Sequence, residues 1–373
     1  MKNNLSDRPG RFAEFYRGKK VLITGAAGTV GREVVSQLYS LEPEELRLMD
    51  NNETEMFFLL EEYKDSPNVC CFLGDIRDRD KIEKLAGGID IIIHCAAFKH
   101  VILSEYNPFD LVQTNIIGVE NVIRAASANG VKNVLFTSSD KAVNPTSVMG
   151  TSKLMGERLI TAANAVKSVN KTVFSSTRFG NVVGSRGSVV PLFIKQIMKG
   201  GPVTLTDKRM SRFFMTTADA ARLVLNSVII SKGGEVFVTK MVVVGIEDLA
   251  HVMIDLLSPK YGFDPVDIQV VETGAKPGEK LYEELMNDEE VPRSLELEDM
   301  FVVTPAFKAI YQSINYEYET LVSEEVEHSY VSSDEKVLTR EELRDYLIDN
   351  NILEELEAQF FGGVLTKKDL LTQ

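Results

Sequence analysis

Three glycines, Gly25, Gly28 and Gly31, recur at intervals of three in VLITGAAGTVGREVV. They follow an apolar burst directly and precede a stretch with helical spacing. Glycine reaches positive φ and lets a backbone come close to a ligand. A helix start offers unpaired N–H groups and the positive end of its dipole. The pattern therefore predicts a pyrophosphate cradle that includes Thr24, Thr29 and Val30. Asp50 closes the next burst, 19 residues beyond Gly31. A carboxylate there accepts hydrogen bonds from an adenosine ribose and repels a 2′-phosphate, which favours NAD over NADP. Asp75, with Ile76 beside it in LGDIRD, follows the third burst and is placed to meet the adenine edge.

Asp140 and Lys141 set an acid next to an amine at the end of the fifth burst, NVLFTSS. Open α/β sheets carry their chemistry at that end of their strands. The plainer alternative is an ion pair in a surface turn. Further on, Asn181, Arg186, Lys195 and Arg212 lie in or near GSRGSVVP (184–191) and GGPVTLTDKRMSRF (200–213). This is a basic group in an acidic chain, and guanidinium forks suit a diphosphate. KPGEK adds Lys276 and Glu279.

The elements that position these residues follow from the apolar pattern. Bursts at VLIT (21–24), LRLMD (46–50), VCCFL (69–73), DIIIHC (90–95), NVLFTSS (133–139) and TVFSSTRF (172–179) alternate with helical stretches such as Val30 to Tyr39 and Ile116 to Ala128. Continuous apolar strands between helices indicate a parallel sheet covered on both faces. The expected fold class is α/β, a Rossmann-like doubly wound sheet with a smaller C-terminal substrate-binding lobe. The expected organisation is an N-terminal arm (1–18), a dinucleotide domain (19–180), a lobe (181–350) with some chain returning to the first domain, and a tail (351–373). Helices are expected at Glu247 to Leu257, Glu279 to Met286 and 339–360, the last opening with the capping-box pattern TREE. The acidic stretch 288–300 reads as a loop.

Composition sets the outer limits. The chain has 373 residues, 44% of them hydrophobic and 26% charged, which is ordinary for a soluble enzyme. A net charge of -14 argues against general affinity for nucleic acid or anionic membrane. No apolar run reaches the roughly 18 residues that suggest a span, and the N-terminus has no signal-peptide core. Cys70, Cys71 and Cys95 show neither metal spacing nor a disulfide frame, so a reduced cytoplasm and no metal are expected.

The glycine spacing, Asp75-Ile76, HCAA (94–97) with Ala96, Asn115 and the serines 138 and 139 resemble the extended short-chain dehydrogenase/reductase family. AAFKHV (96–101), SSDKAVNPTSVMGTSK (138–153), RFGNVVGSRGSVVP (178–191) and KPGEKLYEEL (276–285) narrow the resemblance. They are similar to the soluble, short-form nucleotide-sugar 4,6-dehydratases of polysaccharide biosynthesis that act on UDP-N-acetylglucosamine. A long form of that family carries transmembrane helices ahead of the catalytic domain, and none is expected here. The resemblance implies NAD as cofactor, a cytoplasmic homo-oligomer, and a UDP-4-keto-6-deoxy-N-acetylhexosamine for bacterial surface glycans.

Classical members of the family carry Tyr-x-x-x-Lys. Here the lysine is Lys153 and the tyrosine position holds Met149, a thioether that transfers no proton. Another group must handle that proton, and Asp140 and Lys141 are the candidates. The expected course is that Asp140 accepts the 4-hydroxyl proton during oxidation at C4. A neutral Lys141 then removes the C5 hydrogen, and protonated Asp140 helps O6 leave as water. Lys153 binds the cofactor ribose. Ser138 or Ser139 hydrogen-bonds the 4-hydroxyl, with Ser139 in the better register. Met149 packs against the nicotinamide or sugar and points, by analogy, to retention at C5. Lys99 contacts the sugar or pyrophosphate, and His100 caps or packs. By resemblance, Asn181 orients the diphosphate and the 186–191 loop, with Val190, encloses the uridine. The competing readings are a UDP-sugar 4-epimerase and a non-catalytic NAD-binding sensor.

Overall fold

A computed structural model describes residues 10–165, 172–185, 187–274, 278–307 and 314–361. It divides into two units. The first comprises the described residues up to Phe179, Ala218–Lys240 and Glu284–Ser329. The second comprises Gly180–Thr217, Met241–Glu283 and the chain from Tyr330 onward.

The first unit is built on β1 (Lys20–Thr24), β2 (Glu45–Asp50), β3 (Val69–Leu73), β4 (Ile91–His94), β5 (Asn133–Ser139) and β6 (Val173–Phe179). They lie in the order β6-β5-β4-β1-β2-β3 and all their pairings are parallel. This is the doubly wound arrangement. Val236–Thr239 adds a parallel strand beside β6, and Met300–Val303, Ser294–Leu297 and Leu321–Ser323 complete a ten-stranded sheet with antiparallel pairings.

Strand alternation sends Val21 and Ile23 to one face and Leu22 to the other, each fully buried. On the first face the helix Thr29–Tyr39 buries Gly31, Val34, Val35 and Leu38, one stripe at helical spacing. On the second face Val119, Val122 and Ile160 pack against Leu22, Ile92 and Phe136. Each such side chain contributes about 1.5–3 kcal/mol by burial. The N-terminal region is more than a polar arm. Arg11–Tyr16 is helical, and the fully buried Tyr16 donates its hydroxyl to Leu225 O at 2.8 Å.

The second unit holds a three-stranded sheet of Val242–Gly245, Ser211–Met215 and Asn181–Val182, and a parallel pair of Val203–Leu205 with Val270–Glu272. Its core joins Phe193, Ile194 and Ile197 to Leu249, Met253 and Leu257, and to Leu343, Leu347, Ile352, Leu353 and Leu356 near the C-terminus.

Three local expectations change. Glu279 to Met286 is not helical; the only regular element there is the strand Glu284–Met286. The carbonyls of Lys280 and Leu281, which a helix would need, instead accept the Arg212 guanidinium at 2.8 and 3.1 Å. The acidic stretch 288–300 contains a 3-10 turn, Val291–Arg293, and the strand Ser294–Leu297, with Glu296 neutralised by Lys240 at 2.6 Å. The C-terminal stretch keeps its capping box, Thr339 with Glu342, but forms two helices, Arg340–Asp349 and Ile352–Phe361. The break falls at Asn351, whose φ of 51° no helix accommodates.

Candidate active site

The C-terminal ends of β1, β2 and β4 converge on the glycine turn. Gly25 has φ 71°, and a Cβ there would lie 2.6 Å from Ala96 N. A Cβ on Gly31 would lie 2.1 Å from Gly25 O, so helix and turn meet at a separation only glycine allows. The helix begins at Thr29 with Gly28 as its N-cap, a residue that brings no side chain to cap the first N–H groups. That leaves a donor-lined cradle suited to a pyrophosphate. Val30 is partly buried against the core of this face. Asp50 supports the turn from β2, its Oδ2 accepting Ala27 N at 3.1 Å and its Oδ1 accepting Asn52 N at 3.0 Å.

Not every residue expected at the cofactor is turned outward. Thr24 is fully buried and its Oγ1 lies 2.6 Å from His94 Nδ1. Burial, then the Lys153 charge, pushes the His94 pKa down to about 3, so the imidazole is neutral. Asp75 is held by the Arg77 guanidinium at 2.6 and 3.0 Å, which brings its pKa down to about 2. Ile76 is buried, and its side chain occupies the space above Gly118.

The acid–amine pair sits at the end of β5, in the 3-10 turn Asp140–Ala142. Asp140 is fully buried. Its Oδ1 accepts Ser139 Oγ at 2.5 Å and Lys141 N at 2.9 Å. Lys141 Nζ reaches Oδ1 at 3.1 Å and Oδ2 at 3.2 Å, and its side chain stays about one-third exposed. Ser138 Oγ is buried without a partner among the described residues.

The helix Val148–Ala163 packs directly on this turn. Ser147 caps it through Gly150 N at 3.1 Å, and Glu105 accepts Val148 N at 2.7 Å. Gly150 is tight against the turn, since a Cβ there would lie 2.3 Å from Lys141 O. Met149, buried, and Lys153 share one helix face at a spacing of four. Lys153 Nζ donates to Thr137 O at 2.9 Å and lies 4.8 Å from the Phe136 ring centroid. Burial brings its pKa down to about 8.

Asn115 joins this helix to the loop after β4. It accepts from Phe98 N at 2.8 Å and donates to Phe98 O at 3.0 Å and Ser152 Oγ at 2.9 Å. It thereby anchors the segment leading to the exposed Lys99. His100 is the N-cap residue of the next helix, Val101–Tyr106, and its carbonyl accepts Ser104 Oγ at 2.7 Å.

In the second unit Asn181, Lys195, Arg212 and Glu279 line a cavity of about 700 Å³ with Gly187, Ser188 and Thr206. That volume suits a small-molecule ligand. Asn181 Oδ1 and Ser188 Oγ are buried without partners among the described residues. Thr206 Oγ1 donates to Glu279 Oε1 at 3.3 Å. Arg212 is nearly fully buried, and besides the two carbonyls of the 280–281 segment it bonds Ser211 O at 2.8 Å and lies 3.5 Å from Glu283. Val190 points into the core, not into the cavity, because it falls on the buried stripe of the helix Val189–Ile197 with Phe193, Ile194 and Ile197. Arg186 and Lys276 lie outside the described residues.

His94, Thr206 and Glu105 were not legible as site residues in the sequence, and Ser188 was covered only as part of the 186–191 loop. His94 carried a signal as the first residue of HCAA, where the fourth apolar burst ends. Among the described residues no group of His, Cys, Asp or Glu is arranged for a metal, and no helix is long and apolar enough to cross a membrane.

A doubly wound sheet with a glycine cradle on its first turn and an acid–amine pair on its fifth strand defines the class, a Rossmann-fold protein of the extended short-chain dehydrogenase/reductase type. Residues 21–305 match the polysaccharide biosynthesis protein family, and the chain belongs to it. It is 49% identical over 79% of its length to 88% of an uncharacterized membrane protein of Methanocaldococcus jannaschii. It is 35% identical over 82% of its length to 89% of a UDP-N-acetylglucosamine 4,6-dehydratase (inverting) of Campylobacter jejuni. Among solved structures, Pen from Bacillus thuringiensis superposes with a TM-score of 0.82 at 41% identity, covering 90% of this chain and 98% of Pen.

Proposed function

We propose that the protein is an NAD-dependent nucleotide-sugar 4,6-dehydratase acting on UDP-N-acetylglucosamine. The observation that carries this reading is the Asp140–Lys141 pair, packed against the helix where Met149 replaces a phenol. Bound at the glycine cradle, NAD would supply a hydride acceptor that is restored in each turnover, leaving net redox at zero. Asp50 is the partner for the adenosine ribose, and Lys153 for the nicotinamide ribose.

The chain's own groups move the protons. Asp140 takes the 4-hydroxyl proton as the 4-ketone forms. Lys141 gives its ammonium proton to solvent through its exposed end and regains one from solvent when the cycle closes. The neutral amine takes the C5 hydrogen, which the ketone has made acidic. Protonated Asp140 gives its proton to O6, which leaves as water, and Lys141 returns a proton to C5 at the close. Ser139 orients Asp140 and the 4-hydroxyl. The cavity of the second unit takes the nucleotide diphosphate through Asn181 and Lys195. The whole protein is expected in the cytoplasm as a homo-oligomer.

The test is incubation with UDP-N-acetylglucosamine in deuterated water, followed by proton NMR. Loss of the C6 hydroxyl, a 6-methyl signal and deuterium at C5 support dehydration. A C4-inverted sugar with C6 intact would establish an epimerase instead. The Campylobacter relative is named an inverting enzyme, whereas Met149 suggests retention at C5, and the product's H4-derived and H5 couplings after reduction decide it.

A further inference from the structure

The second unit's cavity is bordered on one side by Gly187, Ser188 and Val189. The backbone enters this wall through Gly184, at φ 79°. Leu356, from the helix Ile352–Phe361, sits on that glycine; a Cβ there would lie 2.3 Å from Leu356 Cδ2. Leu356 is buried in one core with Val183, Val190 and Phe193. A side chain near the C-terminal end of the described chain thus fills the open side of the turn that leads into the cavity wall.

Apolar contact alone lets a helix roll on its neighbours. Glu357 prevents this. It is 4% exposed, and a carboxylate so buried requires partners. The Tyr261 hydroxyl donates to its Oε1, and Lys260 Nζ donates to its Oε2 at 3.0 Å. Both partners lie in the turn Ser258–Tyr261, which directly follows the helix Ile246–Leu257, and Ile246 itself lines the cavity. The C-terminal helix is therefore pinned by charge to the turn at the far end of the helix that Ile246 begins, while it packs against Gly184 and the helix Val189–Ile197. The family match ends at residue 305, so this brace comes from chain beyond it.

We propose that the helix Ile352–Phe361 belongs to the nucleotide-sugar binding apparatus, with Leu356 and Glu357 as positioning residues that set the Gly184 turn and the wall that follows it. This rests on the reading of the cavity as a nucleotide-diphosphate site.

The test uses the full chain with UDP as probe, measured by titration calorimetry, beside NAD binding and amide exchange at Gly184 and Gly187. Leu356→Ala and Glu357→Gln should each weaken UDP binding by about tenfold, roughly 1.4 kcal/mol, and leave NAD affinity unchanged. Leu356→Ala should also speed exchange at both glycines, and Leu356→Met should restore UDP affinity and protection. Leu347→Ala, in the same core but on the preceding helix, controls for loss of stability and should leave UDP affinity intact. The proposal is overturned if Leu347→Ala weakens UDP as much at an equal loss of Tm, or if exchange at Gly184 and Gly187 does not change in Leu356→Ala. A wild-type chain that binds no UDP removes the cavity reading and the binding role with it; faster exchange in Leu356→Ala would then mark a purely structural brace.

Discussion

Lys141 Nζ stands 3.1 and 3.2 Å from the two carboxylate oxygens of Asp140, a fully buried group that also takes a 2.5 Å hydrogen bond from Ser139. Nearest neighbours in sequence thus form one ion pair, the proton-handling unit we propose, held at the strand end by burial of the acid and kept in touch with solvent through the amine.

Separate proton roles for the two groups predict separable defects. Lys141→Ala should abolish deuterium incorporation at C5. Asp140→Asn should lower kcat by about 10²–10⁴-fold, the usual range for a general acid or base. Retained C5 exchange in Lys141→Ala, read by NMR, rules out its assigned role.

A packing role for Met149 predicts tolerance of another apolar side chain. Met149→Leu, close in volume, should keep kcat within about threefold and cost less than about 1.5 kcal/mol. A collapse of kcat with an unchanged melting temperature would show that the thioether itself contributes to the reaction.

The turn at Gly25 and Gly31 has no room to relax. In Gly31→Ala the new methyl meets a backbone oxygen at 2.1 Å, and backbone on both sides must shift. A stability loss of about 1–3 kcal/mol is expected in urea denaturation, together with loss of dinucleotide binding in calorimetry.

Arg178 bridges Glu157 at 2.7 Å and Glu290 at 2.7 and 2.8 Å, all three nearly fully buried. Arg178→Met leaves two carboxylates without their shared cation and should cost about 3–5 kcal/mol. Replacing both glutamates by glutamine as well should recover part of it, and equal denaturation midpoints for the single and triple variants would refute the account.

His94 predicts an acid-side pH dependence. Its folded pKa of about 3 lies below the ordinary 6.5. Between these values the unfolded chain binds a proton that the folded chain excludes, so stability falls as pH drops through 6.5 and the loss is complete near 3. The slope approaches about 1.4 kcal/mol per pH unit. His94→Gln should lose stability less steeply than wild type from pH 7 to 5, and parallel curves would show that the imidazole does not set the slope.

Much of this was legible in the residues themselves. Strands such as VLIT and DIIIHC are apolar on both faces, so a covered parallel sheet was the arrangement that could bury them. Gly25, Gly28 and Gly31 announced a tight turn between strand and helix because that spacing allows the close backbone approach found at Gly25 and Gly31. Less was legible where partners are distant in sequence. The 279–286 stretch has helical spacing, but Arg212 claims its carbonyls. Residues 288–300 look like a solvated loop, but Lys240 neutralises Glu296 within a strand pair.

The sequence by itself determined the strand–helix alternation, the glycine turn and the adjacency of Asp140 to Lys141, because these depend on local periodicity and on neighbours along the chain. Tertiary structure decided that Thr24 turns to His94, that Val190 belongs to a core, that Arg212 holds backbone carbonyls and that Leu356 fills the space over Gly184. Each of those outcomes depends on which distant group reaches a buried polar atom or an open glycine face first, and nothing in the local pattern encodes that.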